Sequence, residues 1–152
     1  INDIAGIRII CSFRPDIYKI VEMIENMQDI TILKKKDYVT TPKESGYSSY
    51  HLIVSVPVSL SMGTINVKVE IQIRTMAMDF WASLEHKIRY KYDKQIPKGI
   101  RKELKECAKM TQKLDKRMSH LGRNLMEEEK QIIKEITTEY STVYATALLT
   151  SN

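Results

Sequence analysis

Apolar and polar residues alternate most cleanly over residues 65–74. Ile65, Val67, Val69, Ile71 and Ile73 fall on one face of a strand, and Lys68, Glu70, Gln72 and Arg74 on the other. A single carboxylate among cations suits phosphate and metal chemistry. A solvated antiparallel face offers the same residue types, so the pattern alone leaves both readings open. Residues 50–58 form a preceding strand, joined to 64–74 through Ser59, Ser61 and Gly63 as a hairpin.

The rest of the pattern predicts a mixed sheet with helices. Residues 5–12 are β-rich and apolar apart from Arg8 and Ser12, as in a strand covered on both faces. Pro15 and Asp16 open a helix whose stripe is Ile17, Ile20, Val21, Ile24 and Met27. Residues 30–33 read as a short strand running into Lys34, Lys35 and Lys36 and a loop. Thr75 is placed to cap a helix that turns Ala77, Phe80, Trp81, Leu84 and Ile88 inward.

After Pro97 and Gly99 come two long amphipathic segments. One runs through Ile100, Leu104, Ala108, Leu114, Met118 and Leu121, the other through Leu125, Ile132, Ile136, Tyr140, Val143 and Ala147. A break at Gly122 would make them a helical hairpin, packed on the sheet or on another subunit.

Length and composition fit one folded domain: 152 residues, 43% apolar and 28% charged. The formal charge of +5 points to anionic partners, but 24 basic residues among 19 acidic ones make a mixed surface, so nucleotide phosphates suit as well as nucleic acid. Cys11 and Cys107 are too few for a disulfide framework or a zinc site and read as two buried thiols in a reducing cytoplasm. No apolar run reaches membrane-spanning length and no signal peptide is visible. Beginning at Ile1 without methionine, the chain reads as a fragment.

The five glycines are scattered, so neither a P-loop nor a dinucleotide-binding fingerprint is present. Phosphates would have to be held by side-chain cations, of which Arg8, Lys34, Lys35, Lys36, Lys43 and Arg74 are the supply. Residues 36–51 add tyrosines for base stacking and hydroxyls for phosphate or ribose. The plainer reading is a tyrosine-rich surface loop capping the sheet.

Three separated motifs, in order, resemble the synthetase domain of the RelA/SpoT-type alarmone synthetases, and within that family the small single-domain synthetases. They are Asp3-Ile4-Ala5-Gly6-Ile7-Arg8-Ile9, then Lys36-Asp37-Tyr38 leading to Pro42-Lys43 and Gly46-Tyr47-Ser48-Ser49-Tyr50-His51, then residues 69–75 with Trp81-Ala82 and Leu84-Glu85-His86. The resemblance implies an α/β (α+β) fold, a nucleotidyltransferase-like mixed sheet flanked by helices with a C-terminal helical hairpin. Residues 1–97 would be an N-terminally incomplete core, and 98–152 a helix pair mediating assembly into a homotetramer.

The implied reaction is pyrophosphate transfer from ATP to the 3′-hydroxyl of GDP or GTP in the cytoplasm, giving ppGpp or pppGpp. By similarity Asp3 and Glu70 hold Mg2+, with Glu70 also helping to deprotonate the hydroxyl. Tyr47 would stack on guanine, Lys36, Lys43 and His51 would contact acceptor phosphates, the Ala82 carbonyl would accept from guanine, and Ser45 would meet the base or a phosphate. Arg8 would serve the donor ATP. His86 and Trp81 read as structural. (p)ppGpp or single-stranded RNA is implied as a possible allosteric ligand.

The departures are Ser45 where asparagine is common, Ser48 where small synthetases carry arginine, and Asp79 in place of asparagine or histidine. The family's basic ATP-gripping segment lies upstream of the Asp3 motif, so residues 1–152 alone are expected to favour acceptor over donor and to be poorly active. Two other classes stay open: a non-catalytic oligomer that binds guanine nucleotide or single-stranded RNA, and a nucleotidyltransferase acting on another acceptor.

Overall fold

The computed structural model describes residues 5–92 and 95–150, with side chains through Glu139. In chain order the elements are β1 (Ala5–Cys11), α1 (Arg14–Glu25), β2 (Thr31–Asp37), β3 (Tyr50–Leu60), β4 (Gly63–Thr75), α2 (Met76–Lys91) and α3 (Lys98–Thr150). The strands form one mixed sheet in the order β1-β4-β3-β2. β1 runs parallel to β4, while β3 is antiparallel to both β4 and β2. Mixed α+β architecture with a hairpin at its centre is therefore as the alternation required.

The apolar face of β3 and β4 packs on α1. Ile17, Leu52, Val54 and Ile73 are fully buried, and Val21, Ile24, Val69 and Ile71 nearly so. Complete burial of such a side chain contributes about 1.5–3 kcal/mol. α1 starts where expected: Asp16 accepts from the Phe13 amide at 3.3 Å, and Arg14 and Pro15 occupy its first positions. The hairpin turns through Ser61 and Met62, with Gly63 at φ +124°.

Several expectations change. β1 is an edge strand of this sheet, with Ile7 and Ile10 about half exposed, not a strand covered on both faces. A continuous apolar run cannot distinguish an edge from a centre, because both give the same letters. β2 does not end at Leu33 but continues through the lysines to Asp37, since a bulge between Ile32 and Lys34 shifts the register and keeps the strand paired with β3.

On α2 the buried residues are Met78, Trp81 and Ala82, whereas Phe80 and Leu84 face outward. Thr75 caps this helix as anticipated, accepting from the Met78 amide at 3.2 Å. Residues 98–150 form one helix rather than a hairpin. A lone glycine costs a helix about 1 kcal/mol without stopping it, and Gly122 lacks the positive φ that Gly46 and Gly63 show.

The chain divides into compact units at Ser119, not at residue 97. The reason lies in contacts made by the first part of α3. Ser119 accepts from the Arg14 amide at 3.0 Å, Asp115 pairs with the Arg14 guanidinium at 3.5 Å, and Trp81 donates to the Leu104 carbonyl at 2.9 Å. In the second unit Leu121, Leu125, Ile132 and Ile136 are exposed along the helix; Tyr140, Val143 and Ala147 lie outside the described side chains. Among the described residues, no helix is long and apolar enough to cross a membrane.

Both cysteines are free, but only Cys11 is buried; Cys107 is exposed. Burial pushes the Cys11 thiol up to about 11, aided by the charges of Asp16 and Asp115, and its S–H points at the Arg74 carbonyl at 3.3 Å. Ellman's reagent at pH 8 is expected to titrate one thiol in the native protein and two after denaturation. Two fast thiols in the folded state would contradict this packing.

Candidate active site

The site is the polar face of the sheet, assembled by register. Lys36 faces His51, His51 faces Gln72, and Gln72 faces Arg8, so these four side chains share one row. The next row on the same face brings Lys34, Ile53, Glu70 and Gly6 abreast. Gly6 puts no side chain opposite Glu70. A recess of about 220 Å³ lies there, lined by Gly6, Ile7, Arg8, Glu70 and Gln72.

Glu70 is the one acid on these two rows and is a third exposed. Its Oε1 lies 2.8 Å from His51 Nδ1, and its Oε2 accepts from Gln72 at 3.3 Å. Burial works to raise its carboxyl, but the hydrogen bonds from His51 and Gln72 and the charge of Lys36 outweigh it and hold the group below its ordinary range. Burial lowers His51 in turn, and Lys43 and Arg74 add to this against the pull of Glu70. His51 is thus neutral near pH 7, and its contact with Glu70 is a hydrogen bond to an anion rather than an ion pair.

Beyond His51 stands Tyr47, whose hydroxyl lies 2.8 Å from His51 Nε2 and accepts from Arg74 at 2.7 Å. The Lys43 ammonium sits 4.7 Å from the Tyr38 ring centroid and 4.9 Å from that of Tyr47, within cation–π range. Asp37 builds the turn before this loop by accepting from the Val39 and Thr40 amides at 2.8 and 2.9 Å. Although burial opposes it, those bonds hold its carboxyl below the usual range.

The loop is seated on α3. Gly46 has φ +95°, and its carbonyl accepts from Gln112 at 3.0 Å. A Cβ added there would meet the Ala108 Cβ at 2.3 Å. Gly46→Ala should therefore cost roughly 2–5 kcal/mol, the left-handed backbone and the overpacking adding together. Thermal unfolding measures this, and an unchanged midpoint would mean that the loop is not pinned.

Of the residues singled out from sequence, the structure groups Lys36, Lys43, Tyr47, His51 and Glu70. Arg8 shares their face, but half-exposed it pairs with Asp79 at 3.3 Å. Ser45 accepts from the Tyr47 amide at 3.4 Å and lines a separate cleft of about 580 Å³ with Trp81, Glu85, Arg89, Arg101 and Lys105. Ala82 lies within α2, where its carbonyl belongs to the helical ladder, in the cluster against which Tyr47 packs. Asp3 lies outside the described residues.

Sequence reasoning counted Arg74 only among the phosphate-holding cations and missed the part that it and Asp79 play in the network. Arg74, only 5% exposed, binds Tyr47, Gln72 at 2.8 Å and Asp79 at 3.1 Å. Asp79, noted only as a departure, bridges Arg8 and Arg74. An arginine at the end of an alternating strand beside an acid one helical turn on was the available signal. Ser48 is buried, and among the described residues its hydroxyl is the buried side-chain polar atom without a hydrogen-bond partner. It faces the interior near Gln112 and Asp115.

Residues 1–95 match the family described as the region found in RelA / SpoT proteins. The chain is 55% identical over 118 residues to GTP pyrophosphokinase YwaC of Bacillus subtilis, covering 78% of this chain and 56% of that protein. It is 42% identical over 128 residues to GTP pyrophosphokinase YjbM of the same organism, covering 84% and 61%. Its fold matches the crystal structure of small alarmone synthetase 2 from B. subtilis with a TM-score of 0.79 and 52% identity, over 82% of this chain and 67% of that one. Small alarmone synthetase 1 from B. subtilis, bound to its product pppGpp, matches with a TM-score of 0.78 and 43% identity, over 81% and 63%. The chain spans little more than half the length of the two pyrophosphokinases.

Proposed function

Because the chain belongs to the RelA/SpoT family, we propose that it transfers pyrophosphate from ATP to the 3′-hydroxyl of GDP or GTP, forming ppGpp or pppGpp and AMP. The observation that carries this reading is Glu70, held anionic at an open recess beside the row that carries Lys36 and Arg8. In the reaction the 3′-oxygen bonds to the donor's β-phosphorus, the α–β bridging bond breaks, and AMP departs. The hydroxyl proton goes to Glu70. Tyr47 stacks on guanine, while Lys43 and Lys36 neutralise acceptor phosphate charge. Arg8, half exposed, turns toward the donor. Ser45 and Ala82 flank Tyr47 and complete the acceptor side.

Mg2+ suits this donor set. It takes hard oxygens, commonly one or two carboxylates together with substrate phosphates, and Glu70 presents two oxygens that each have one protein partner. Among the described residues no three His, Cys, Asp or Glu side chains form a metal cluster. Glu70 and Asp3 are the residues to hold the ion. When bound, the ion would orient the donor's phosphates and offset their charge.

Incubation of the full-length protein with γ-labelled ATP, GDP and Mg2+ tests the assignment, with label expected in guanosine tetraphosphate. Label released as pyrophosphate, with α-labelled ATP marking a polymer instead, would select a nucleotidyltransferase, and GDP binding with no transferred label would select a binding module; either outcome overturns the proposal.

The substrates and the two unpaired cysteines suit a cytoplasmic setting. We further propose assembly, up to a homotetramer, through α3. Within the second unit Leu121, Leu125, Ile132 and Ile136 are exposed at spacings of four and seven, as in a helix–helix seam. Replacing Leu125 and Ile132 with aspartate should give a monomer by light scattering. A mass unchanged from that of the parent oligomer would remove this face from the assembly.

A further inference from the structure

Resting on the proposed reaction, we infer that the Tyr47 hydroxyl, anchored by Arg74, is a positioning group that sets the proton on His51 and thereby orients Glu70. The acceptor ring and the general base would then be joined by one hydrogen-bonded chain: Arg74, Tyr47, His51, Glu70.

The directions follow from donor and acceptor chemistry. Arginine only donates, so at 2.7 Å the Tyr47 oxygen accepts from Arg74. The phenolic proton is thereby directed to its other neighbour, His51 Nε2, at 2.8 Å. An Nε2 that accepts requires the proton on Nδ1, and Nδ1 lies 2.8 Å from Glu70 Oε1, which only accepts when ionised. Each link therefore demands the next. The outer end is fixed as well, because Arg74 is buried and also bound to Gln72 and Asp79. Gln72 closes the circuit by donating to Glu70 Oε2.

Two consequences follow. His51, with both ring nitrogens engaged by protein groups, acts through Glu70 rather than on the acceptor's phosphates. Tyr47 has separable duties: its ring for the base, its hydroxyl for the carboxylate. A base that seats the ring correctly keeps Glu70 aimed at the recess, and one that shifts the ring slackens it.

Tyr47→Phe separates the duties. The ring is kept, so the KM for GDP should stay within about threefold, while kcat falls roughly tenfold or more. A readout independent of turnover comes from 15N NMR of the labelled chain, with His51 assigned by substitution. The parent is expected to show the Nδ1–H tautomer with the Nε2 resonance displaced by the phenolic hydrogen bond, and Tyr47→Phe should keep Nδ1–H, which Glu70 holds, while Nε2 moves to the position of a nitrogen without a donor.

An Nε2–H tautomer in the parent, or an Nε2 resonance identical in both proteins, overturns the chain. A full-length parent that makes no guanosine product, yet whose Nε2 resonance moves in the variant, overturns the proposed reaction and leaves the positioning network standing.

Discussion

Glu70→Gln is expected to bring pyrophosphate transfer down by roughly 10²–10⁴-fold, the range of general base catalysis, toward background. Its fold should survive. Glutamine keeps an oxygen for His51 Nδ1 and nearly the same shape, and the side chain is a third exposed. Removing the charge also withdraws a hard anionic ligand, so adding Mg2+ should not restore the rate. Steady-state transfer from labelled ATP to GDP, with thermal unfolding alongside, checks both halves. Turnover near the parent rate would take Glu70 out of the mechanism.

Tyr47→Ala is the second large effect. Loss of a base-stacking ring costs about 1–3 kcal/mol, roughly 5–150-fold in acceptor affinity. Stability should fall as well, because buried Arg74 loses one of its partners and the cluster of Trp81, Ala82 and Ala108 loses a neighbour. Calorimetric titration with GDP and ADP, well below the unfolding midpoint, separates the two losses. GDP affinity equal to the parent's would mean that the ring points elsewhere.

Much of this was legible because local rules and tertiary structure agree. Alternation over β4 placed Glu70, Gln72 and Arg74 on one face, and the Thr75 cap and the hairpin at Gly63 emerged as read. Where the readings departed, the deciding information was not local. A bulge at Leu33 turned an expected loop into strand and set Lys36 opposite His51, which is what brings that lysine to the site. The buried face of α2 was decided by Leu104 and Ala108 from α3, twenty or more residues away. Gly122 looked like a terminator because sequence shows a glycine but not its φ.

The candidate site was legible as residue types, not as a network. The motifs proposed Tyr47, His51 and Glu70 as three separate contacts, whereas register and burial join them through hydrogen bonds and add Arg74. Spacing cannot reveal this, since residues 47, 51, 70 and 74 meet only after β3 pairs with β4 and the loop docks on α3.

The central claim is that Asp3 and Glu70 share a divalent ion beside a purine held by Tyr47. A crystal structure of the protein with GDP, Mg2+ and a non-hydrolysable ATP analogue tests it most directly. The account predicts Mg2+ about 2.0–2.1 Å from a carboxylate oxygen of each acid, with guanine stacked on the Tyr47 ring. An ion bound away from Glu70, or guanine seated away from Tyr47, would contradict it.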